Sequence, residues 1–457
     1  ETTGWDRARR VLANTAGLLA LTLAGLIVLI EAALLAWLLL APGEEKRQLT
    51  LQFTMLMLPF MFFICLLALC SAALNSRGHF AYPAAAPILL NVGLIACGWL
   101  LAPALGRGDA QQLAIVGAGL VVCSIGQLLG AIWLLRRTSL ALRWTLRPIL
   151  PEIRQIAVRM APTVVPLGMV QLCDLLARLI ALACTVSKAH PDLPLRPGVI
   201  RCHYAAGRLY QLPLGVLAIS IATVVFPLLS RCVARGDQAG LRAAVNRALR
   251  LCVFLGLPAG VGLIVLAEPT ITVIFQRREF TAYDTVRAVG MLQMYCLAMP
   301  AYFCLHILLR AFFARKDTRT PMIASAVLAA VNVLLVLGGV FTPLKSAALG
   351  MATAVTATVN VIVLAWVLHR QVGKLGWRRL LFSAARVTAA TMFMAAAVAG
   401  ARWGLGLLRA GPLATVLAGV AVGAAAFLVA AVVLRCPELR ELRRPAARNR
   451  SDSAIMH

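Results

Sequence analysis

A chain of 457 residues that is 61% hydrophobic and 13% charged does not belong among soluble globular domains. Its formal net charge of +27 would suggest nucleic acid as a partner in a soluble protein. Here Lys and Arg cluster in short connections between long apolar runs, where they report membrane topology instead.

In chain order, twelve apolar segments are long enough to cross a bilayer as helices: 11–40, 49–74, 83–103, 112–135, 159–186, 203–230, 248–268, 286–314, 321–341, 345–369, 380–400 and 412–434. The expected fold is therefore an all-α polytopic membrane protein with about twelve transmembrane helices. Val11 to Leu40 is too long for a signal-peptide core and lacks a convincing cleavage site. Alternate connections carry Arg7, Arg9 and Arg10, then Arg77, then Arg136 to Arg159, Arg231 to Arg250, Arg315 to Arg319, Arg370 to Arg379, and the basic end of the chain. This imbalance predicts that both ends lie in the cytoplasm. The 136–158 connection mixes Trp144, Leu146, Ile149, Ile153 and Ile156 with spaced arginines, and it reads either as an interfacial helix on anionic lipid or as a solvated charged loop. The twelve cysteines, several of them inside apolar runs (Cys65, Cys70, Cys97, Cys123, Cys252, Cys304), form no CxxC pair and read as small buried hydrophobes.

An internal echo divides the chain. Arg77-Gly-His-Phe-Ala-Tyr-Pro83 leads into a span carrying Asn91-Val92, and Arg315-Lys-Asp-Thr-Arg-Thr-Pro321 leads into one carrying Asn332-Val333. Both keep Arg-x5-Pro at a turn, with Pro near the first turn of the following helix, where its missing N–H does no harm. The repeat relates the second and third spans to the eighth and ninth. This predicts two pseudo-symmetric lobes of six helices, of which the first two are absent from this sequence. The expected organisation is an N-terminal lobe over 1–135 and an interfacial linker over 136–158. A C-terminal lobe over 159–370, an additional helix pair over 371–434 and a basic cytoplasmic tail over 435–457 complete it.

Ionisable residues inside spans are few. Asp174 and Arg178, four residues apart, can pair along one helix face. They either neutralise each other for insertion, or offer a carboxylate to a cation and a guanidinium to an anion. Arg208 lies inside the 203–230 run, with Tyr204 and Gln211 on its face and Pro213 and Gly215 following within two turns. A guanidinium there either faces a wet cavity or snorkels to the nearer interface. Pro213 is expected to kink the helix, as befits a cavity wall. Arg310 and Arg386 lie nearer span ends and are expected to snorkel, and Glu31 and Glu268 are expected at the outer interface. The six histidines show no ligand spacing, no GxxxxGK[ST] loop is present, and no carboxylate or Cys/His cluster suits a lipid-modifying enzyme. The chain reads as a carrier driven by an ion or by potential, or as a non-transporting scaffold. An arginine-lined cavity suits a pyrophosphate-bearing substrate.

Leu74-Asn-Ser-Arg-Gly-His-Phe-Ala-Tyr-Pro83 with Pro87-Ile-Leu-Leu-Asn-Val92, Tyr204-Ala-Ala-Gly-Arg-Leu-Tyr-Gln-Leu-Pro-Leu-Gly-Val216, Phe280-Thr-Ala-Tyr-Asp-Thr285 and Phe312-Phe-Ala-Arg-Lys-Asp-Thr-Arg-Thr-Pro321 resemble, in this order, the lipid II flippases (MurJ, also called MviN). These belong to the multidrug/oligosaccharidyl-lipid/polysaccharide exporter group, with two lobes of six helices and an extra C-terminal pair. The resemblance implies a non-enzymatic carrier in the bacterial inner membrane. It would move the undecaprenyl-pyrophosphate-linked peptidoglycan precursor outward by alternating access, among anionic lipids and cell-wall synthesis proteins, with no nucleic acid. A related exporter of lipid-linked oligosaccharide or polysaccharide units shares the fold and cavity, and a truncated non-transporting protein is the contrasting reading. By motif, Arg208 matches the second-lobe arginine of the cavity, with Gly207 and Gln211 where some members carry acids. Substrate contacts are thus expected from Arg208, Tyr204, Gln211 and Arg178. No organic cofactor is implied. Some members bind sodium in the second lobe, and Asp174, Asn332 and Thr353 resemble that site, although Val336 stands where a second carboxylate is expected. The coupling agent is expected to be Na+, H+ or the membrane potential.

Overall fold

The computed structural model describes residues 2–40, 45–138, 168, 171–186 and 191–439. The expected interfacial linker, from residue 139 onward, and the basic tail from 440 lie outside these. The chain forms two compact units, Glu1–Met160 and Ala161–His457. The described residues of both are mostly helical, with an isolated bridge between Thr185 and Leu195 in the second.

In the first unit α1 (Thr2–Leu40), α2 (Glu45–Met57) with α3 (Pro59–Ser76), α4 (Ala81–Ala96) and α6 (Asp109–Arg136) correspond to the first four expected spans. A π-turn, Cys97–Leu101, joins α4 to the short α5 (Ala102–Leu105). Leu66, Cys70 and Leu74 of α3 pack with Ala86 of α4 and Leu128, Ala131 and Leu135 of α6. Gly93 and Gly119 let α4 and α6 approach closely: a Cβ on either would overlap the thiol of Cys123 or Cys97 on the opposite helix. Tyr82 donates to the Gln127 carbonyl at 2.6 Å, and the Gln127 amide donates back to the Ala86 carbonyl at 2.6 Å.

The second unit contains α7 (171–183), α8 (Val199–Pro213), a π-turn (Leu214–Ala218), α9 (Ile219–Ala234), α10 (Gln238–Val265) and α11 (Ala267–Phe275). It continues with α12 (Ala282–Leu297), α13 (Met299–Ala314), α14 (Arg319–Val340), α15 (Ala348–Val372), α16 (Trp377–Leu407) and α17 (Pro412–Val433). Across the described residues of both units, ten helices are long and apolar enough to span a membrane, and the pair α12 and α13 makes an eleventh. The remaining expected span, 159–186, is described only from within, at α7. The expected span 286–314 is bent by 43° between α12 and α13. The reason is local: Pro300 lacks the N–H that would bond to the Cys296 carbonyl, and Gly260 of α10 leaves room for that carbonyl, which a Cβ there would meet at 2.7 Å. Pro213 likewise ends regular α-geometry, in a π-turn.

Met291, Leu292, Tyr295, Phe303, Ile307 and Phe312 place α12 and α13 at the centre of the second unit. The Phe280–Thr285 motif caps this centre. Thr281 and Asp284 form a capping box at the start of α12, and Asp284 also pairs with Arg201 of α8 at 2.9 Å. α16 and α17 pack on α10 through Phe254, Val387, Met394 and Phe427. Beyond α17, the fully buried Glu438 pairs with Arg250 at 2.9 Å and accepts from the Ser383 hydroxyl at 2.6 Å. The expected interfacial Glu268 pairs with Arg402 of α16.

The sequence echo is a repeated backbone motif. After α3, His79 N–H donates to the Leu74 carbonyl at 3.0 Å and Gly78 N–H to the Asn75 carbonyl at 3.0 Å. After α13, Asp317 N–H donates to the Phe312 carbonyl at 3.1 Å and Lys316 N–H to the Phe313 carbonyl at 3.0 Å. Both are Schellman closures, with Gly78 at φ +78° and Lys316 at φ +61° in the left-handed region. Pro83 and Pro321 each occupy the third position of the helix that follows. A left-handed L-residue costs about 1–2 kcal/mol. Gly78→Ala should therefore destabilise the protein by about 1 kcal/mol, and Lys316→Gly should be neutral or mildly stabilising, since relief of strain is offset by glycine's extra unfolded-state freedom. Thermal unfolding in detergent reads both, and equal effects of the same sign would remove the equivalence of the two turns.

Candidate functional site

Six helices of the second unit, α7, α8, α12, α13, α14 and α15, wall a cavity of about 420 Å³. The seven residues singled out from sequence, Asp174, Arg178, Tyr204, Arg208, Gln211, Asn332 and Thr353, all line it. The α8 wall follows from helical spacing: His203, Gly207 and Gln211 form one i, i+4 row, and Tyr204 with Arg208 the adjacent one.

The two arginines differ in electrostatic state. Arg178 pairs with Asp174 along α7, Nη2 to Oδ2 at 2.6 Å. The other carboxylate oxygen meets His203 Nε2 at 3.0 Å, and His203 Nδ1 lies 3.0 Å from the Tyr295 hydroxyl. An Nε2–H donating to Asp174 leaves Nδ1 to accept from Tyr295, so one tautomer satisfies the whole chain of contacts. Tyr210 stacks on Tyr295 with centroids 4.8 Å apart and also faces Tyr302. Arg208, by contrast, forms no ion pair among the described residues; its guanidinium carbon sits 5.0 Å from the Tyr204 ring centroid. The cavity thus holds one compensated cation and one uncompensated cation, and the second is what a bound anion would meet.

The opposite wall is neutral. Asn332 donates to the Thr356 hydroxyl at 3.2 Å, Thr356 donates to the Ala352 carbonyl at 2.9 Å, and Thr353 to the Leu349 carbonyl at 2.9 Å. These residues do not fit a sodium ion in this arrangement. Both Asp174 oxygens are taken by N–H donors, the Arg178 charge opposes a second cation there, and Val336 is a fully buried apolar side chain. Arg310, expected to snorkel, lies with its guanidinium carbon 5.5 Å from the Phe226 ring centroid, and Arg386 reaches the Arg435 carbonyl.

Set beside known proteins, residues 2–404 match the family model described as lipid II flippase MurJ. The chain belongs to that family. A probable lipid II flippase MurJ of Rhizobium meliloti (strain 1021) is 30% identical over 475 residues, covering 100% of this chain and 85% of the relative. The Vibrio cholerae probable lipid II flippase MurJ is 30% identical over 340 residues, covering 74% of this chain and 61% of the relative. Among solved structures, a lipid II flippase MurJ in an inward closed conformation superposes with a TM-score of 0.72 at 21% identity, covering 96% of this chain and 86% of the other. An inward-facing multidrug resistance MATE family transporter of the MOP superfamily gives a TM-score of 0.66 at 15% identity, covering 80% of this chain and 85% of the other. At these identities both structures speak for the fold alone.

Within this MurJ-family chain, sequence reasoning missed His203, Tyr295 and Asn360. Each lies in an apolar run, and His203 could have been found as an intramembrane titratable group one residue before the Tyr204 motif. The contact of His203 with Asp174 across 29 positions is legible only in three dimensions.

Proposed function

We propose that this chain carries lipid II, the polyprenyl-pyrophosphate-linked peptidoglycan precursor, outward across the bacterial cytoplasmic membrane, changing no covalent bond in it. The observation that carries this reading, beyond family membership, is Arg208: an uncompensated guanidinium in a cavity walled by membrane-spanning helices. A pyrophosphate leaving water needs fixed donors, and the planar guanidinium fork supplies charge and bidentate geometry together.

The basic loops of the second unit meet at one end, where Gln371 donates to Asp317 and Asn246 to the Leu375 carbonyl. This supports a cytoplasmic position for that end and contact with anionic lipid there. The six-helix lobe over 159–370 and the helix pair at 371–434 belong to the same proposal, with α16 and α17 packing on α10 through Phe254, Val387, Met394 and Phe427. Because the Asp174 charge is already balanced, we assign the driving force to the membrane potential acting on the anionic substrate. Outward transfer of an anion runs down an inside-negative potential by about 2.3 kcal/mol per charge per 100 mV.

The test is reconstitution of the full-length protein into liposomes carrying labelled lipid II, with headgroup accessibility on each leaflet as the readout. Movement of lipid II that quickens with an imposed potential is expected. Absence of movement, or movement only of a lipid-linked polysaccharide unit, would overturn the reading in favour of a scaffold or a related exporter.

A further inference from the structure

The cavity has two chemically distinct walls, and only the α7–α8 wall carries charge. On the α15 wall, Asn360 is 8% exposed, lines the cavity, and has a buried Oδ1 with no hydrogen-bond partner among the described residues. Its neighbour one turn earlier cannot supply one. The Thr356 hydroxyl already donates to the Ala352 carbonyl and accepts from Asn332. An orphaned buried acceptor is costly, on the order of 1–3 kcal/mol, and inside a membrane protein no bulk water relieves it. At a cavity wall such a group is open to a ligand, and an amide oxygen is completed by an N–H or O–H donor.

We propose that Asn360, on a wall shared with Thr353, Thr356, Asn332 and Ser325, is a specificity-determining contact for the neutral, donor-rich glycan part of the substrate, while Arg208 takes the pyrophosphate. This rests on the flippase reading above and deepens it. The cavity would then distinguish a polyprenyl pyrophosphate bearing sugars from the bare polyprenyl pyrophosphate, which Arg208 alone does not. The wall holds no carboxylate or guanidinium, so it recognises hydroxyl and amide groups and not a second anion.

The experiment compares binding of lipid II and of undecaprenyl pyrophosphate to the purified full-length protein in nanodiscs. Wild type should prefer lipid II by about 10-fold, the scale of a neutral hydrogen bond made in a buried site. Asn360→Leu, which keeps the branching of the side chain, should bring the two affinities to near parity, leave undecaprenyl pyrophosphate binding unchanged, and keep or raise the melting temperature, because it deletes an orphaned polar atom. A structural role would lower the melting temperature and weaken both ligands together, and that result overturns the assignment, as does an undiminished preference for lipid II. Should the leucine variant not fold, Asn360→Ala carries the same expectations. Failure of wild type to bind either lipid would overturn the flippase reading itself, and the assignment with it.

Discussion

Arg208→Ala should abolish complementation of a flippase-depleted strain, at membrane levels matched to wild type, and weaken lipid II binding by about 10- to 100-fold. The scale follows from loss of a charge-assisted bidentate contact, about 1.5–3 kcal/mol. Arg208→Lys keeps the charge without the planar fork and should fall between the two. Arg178→Lys should be milder than Arg208→Ala, because the Asp174 carboxylate 2.6 Å away already balances position 178. The competing view, that Arg208 merely reaches for the interface, expects lysine to serve there as well as arginine. Normal growth of the alanine variant would remove Arg208 from the substrate path and leave the anion cavity without its main support.

The second large effect concerns stability. Glu438 is completely buried against Arg250, whose side chain is only 16% exposed, and Ser383 of α16 donates to the same Glu438 oxygen. Removing one partner of such a buried pair costs about 3–5 kcal/mol. Glu438→Ala should accordingly loosen the joint between α10, α16 and the segment after α17, and lower the melting temperature sharply in detergent. Glu438→Gln, which keeps the shape, should cost less. Exchanging both partners for apolar residues (Glu438→Leu with Arg250→Met) should recover much of the loss, because the desolvation cost of the pair disappears with it. A Glu438→Ala protein as stable as wild type would show the pair to be energetically idle.

Much of this molecule could be read from residue order because a bilayer simplifies the problem. Apolar length gave the spans, and loop charge gave an expected orientation. The Arg-x5-Pro echo located two turns whose hydrogen bonds match bond for bond. Asp174 and Arg178 were legible as a pair because four residues make one helical turn. What escaped was whatever depends on two distant helices meeting. His203 looked like one of six scattered histidines, and Asn360 like a single polar residue in an apolar run. Only the fold shows that the first bridges Asp174 to Tyr295 and that the Oδ1 of the second has no partner among the described residues. The bend at Ala298 was missed for a local reason, since Pro300 near the middle of the run 286–314 could equally have been absorbed as a mild kink.

The π-turn at Leu214–Ala218 has an evolutionary consequence. In an α-helix each residue advances the azimuth by about 100°, so one residue absorbed in a wider turn shifts the phase of everything downstream relative to everything upstream. The aim of Arg208 into the cavity and the packing of Ala222 and Leu229 into the core are therefore reconciled by a residue count, and not by any one side chain. Substitutions at the exposed Val216 should drift freely among apolar types, while the fully buried Ala218 should not. A single-residue deletion there would restore an even helix, swing one half against the other, and force a choice between a buried core and a correctly aimed arginine. Across descendants of this gene, this short stretch should vary at its exposed position and stay fixed in length.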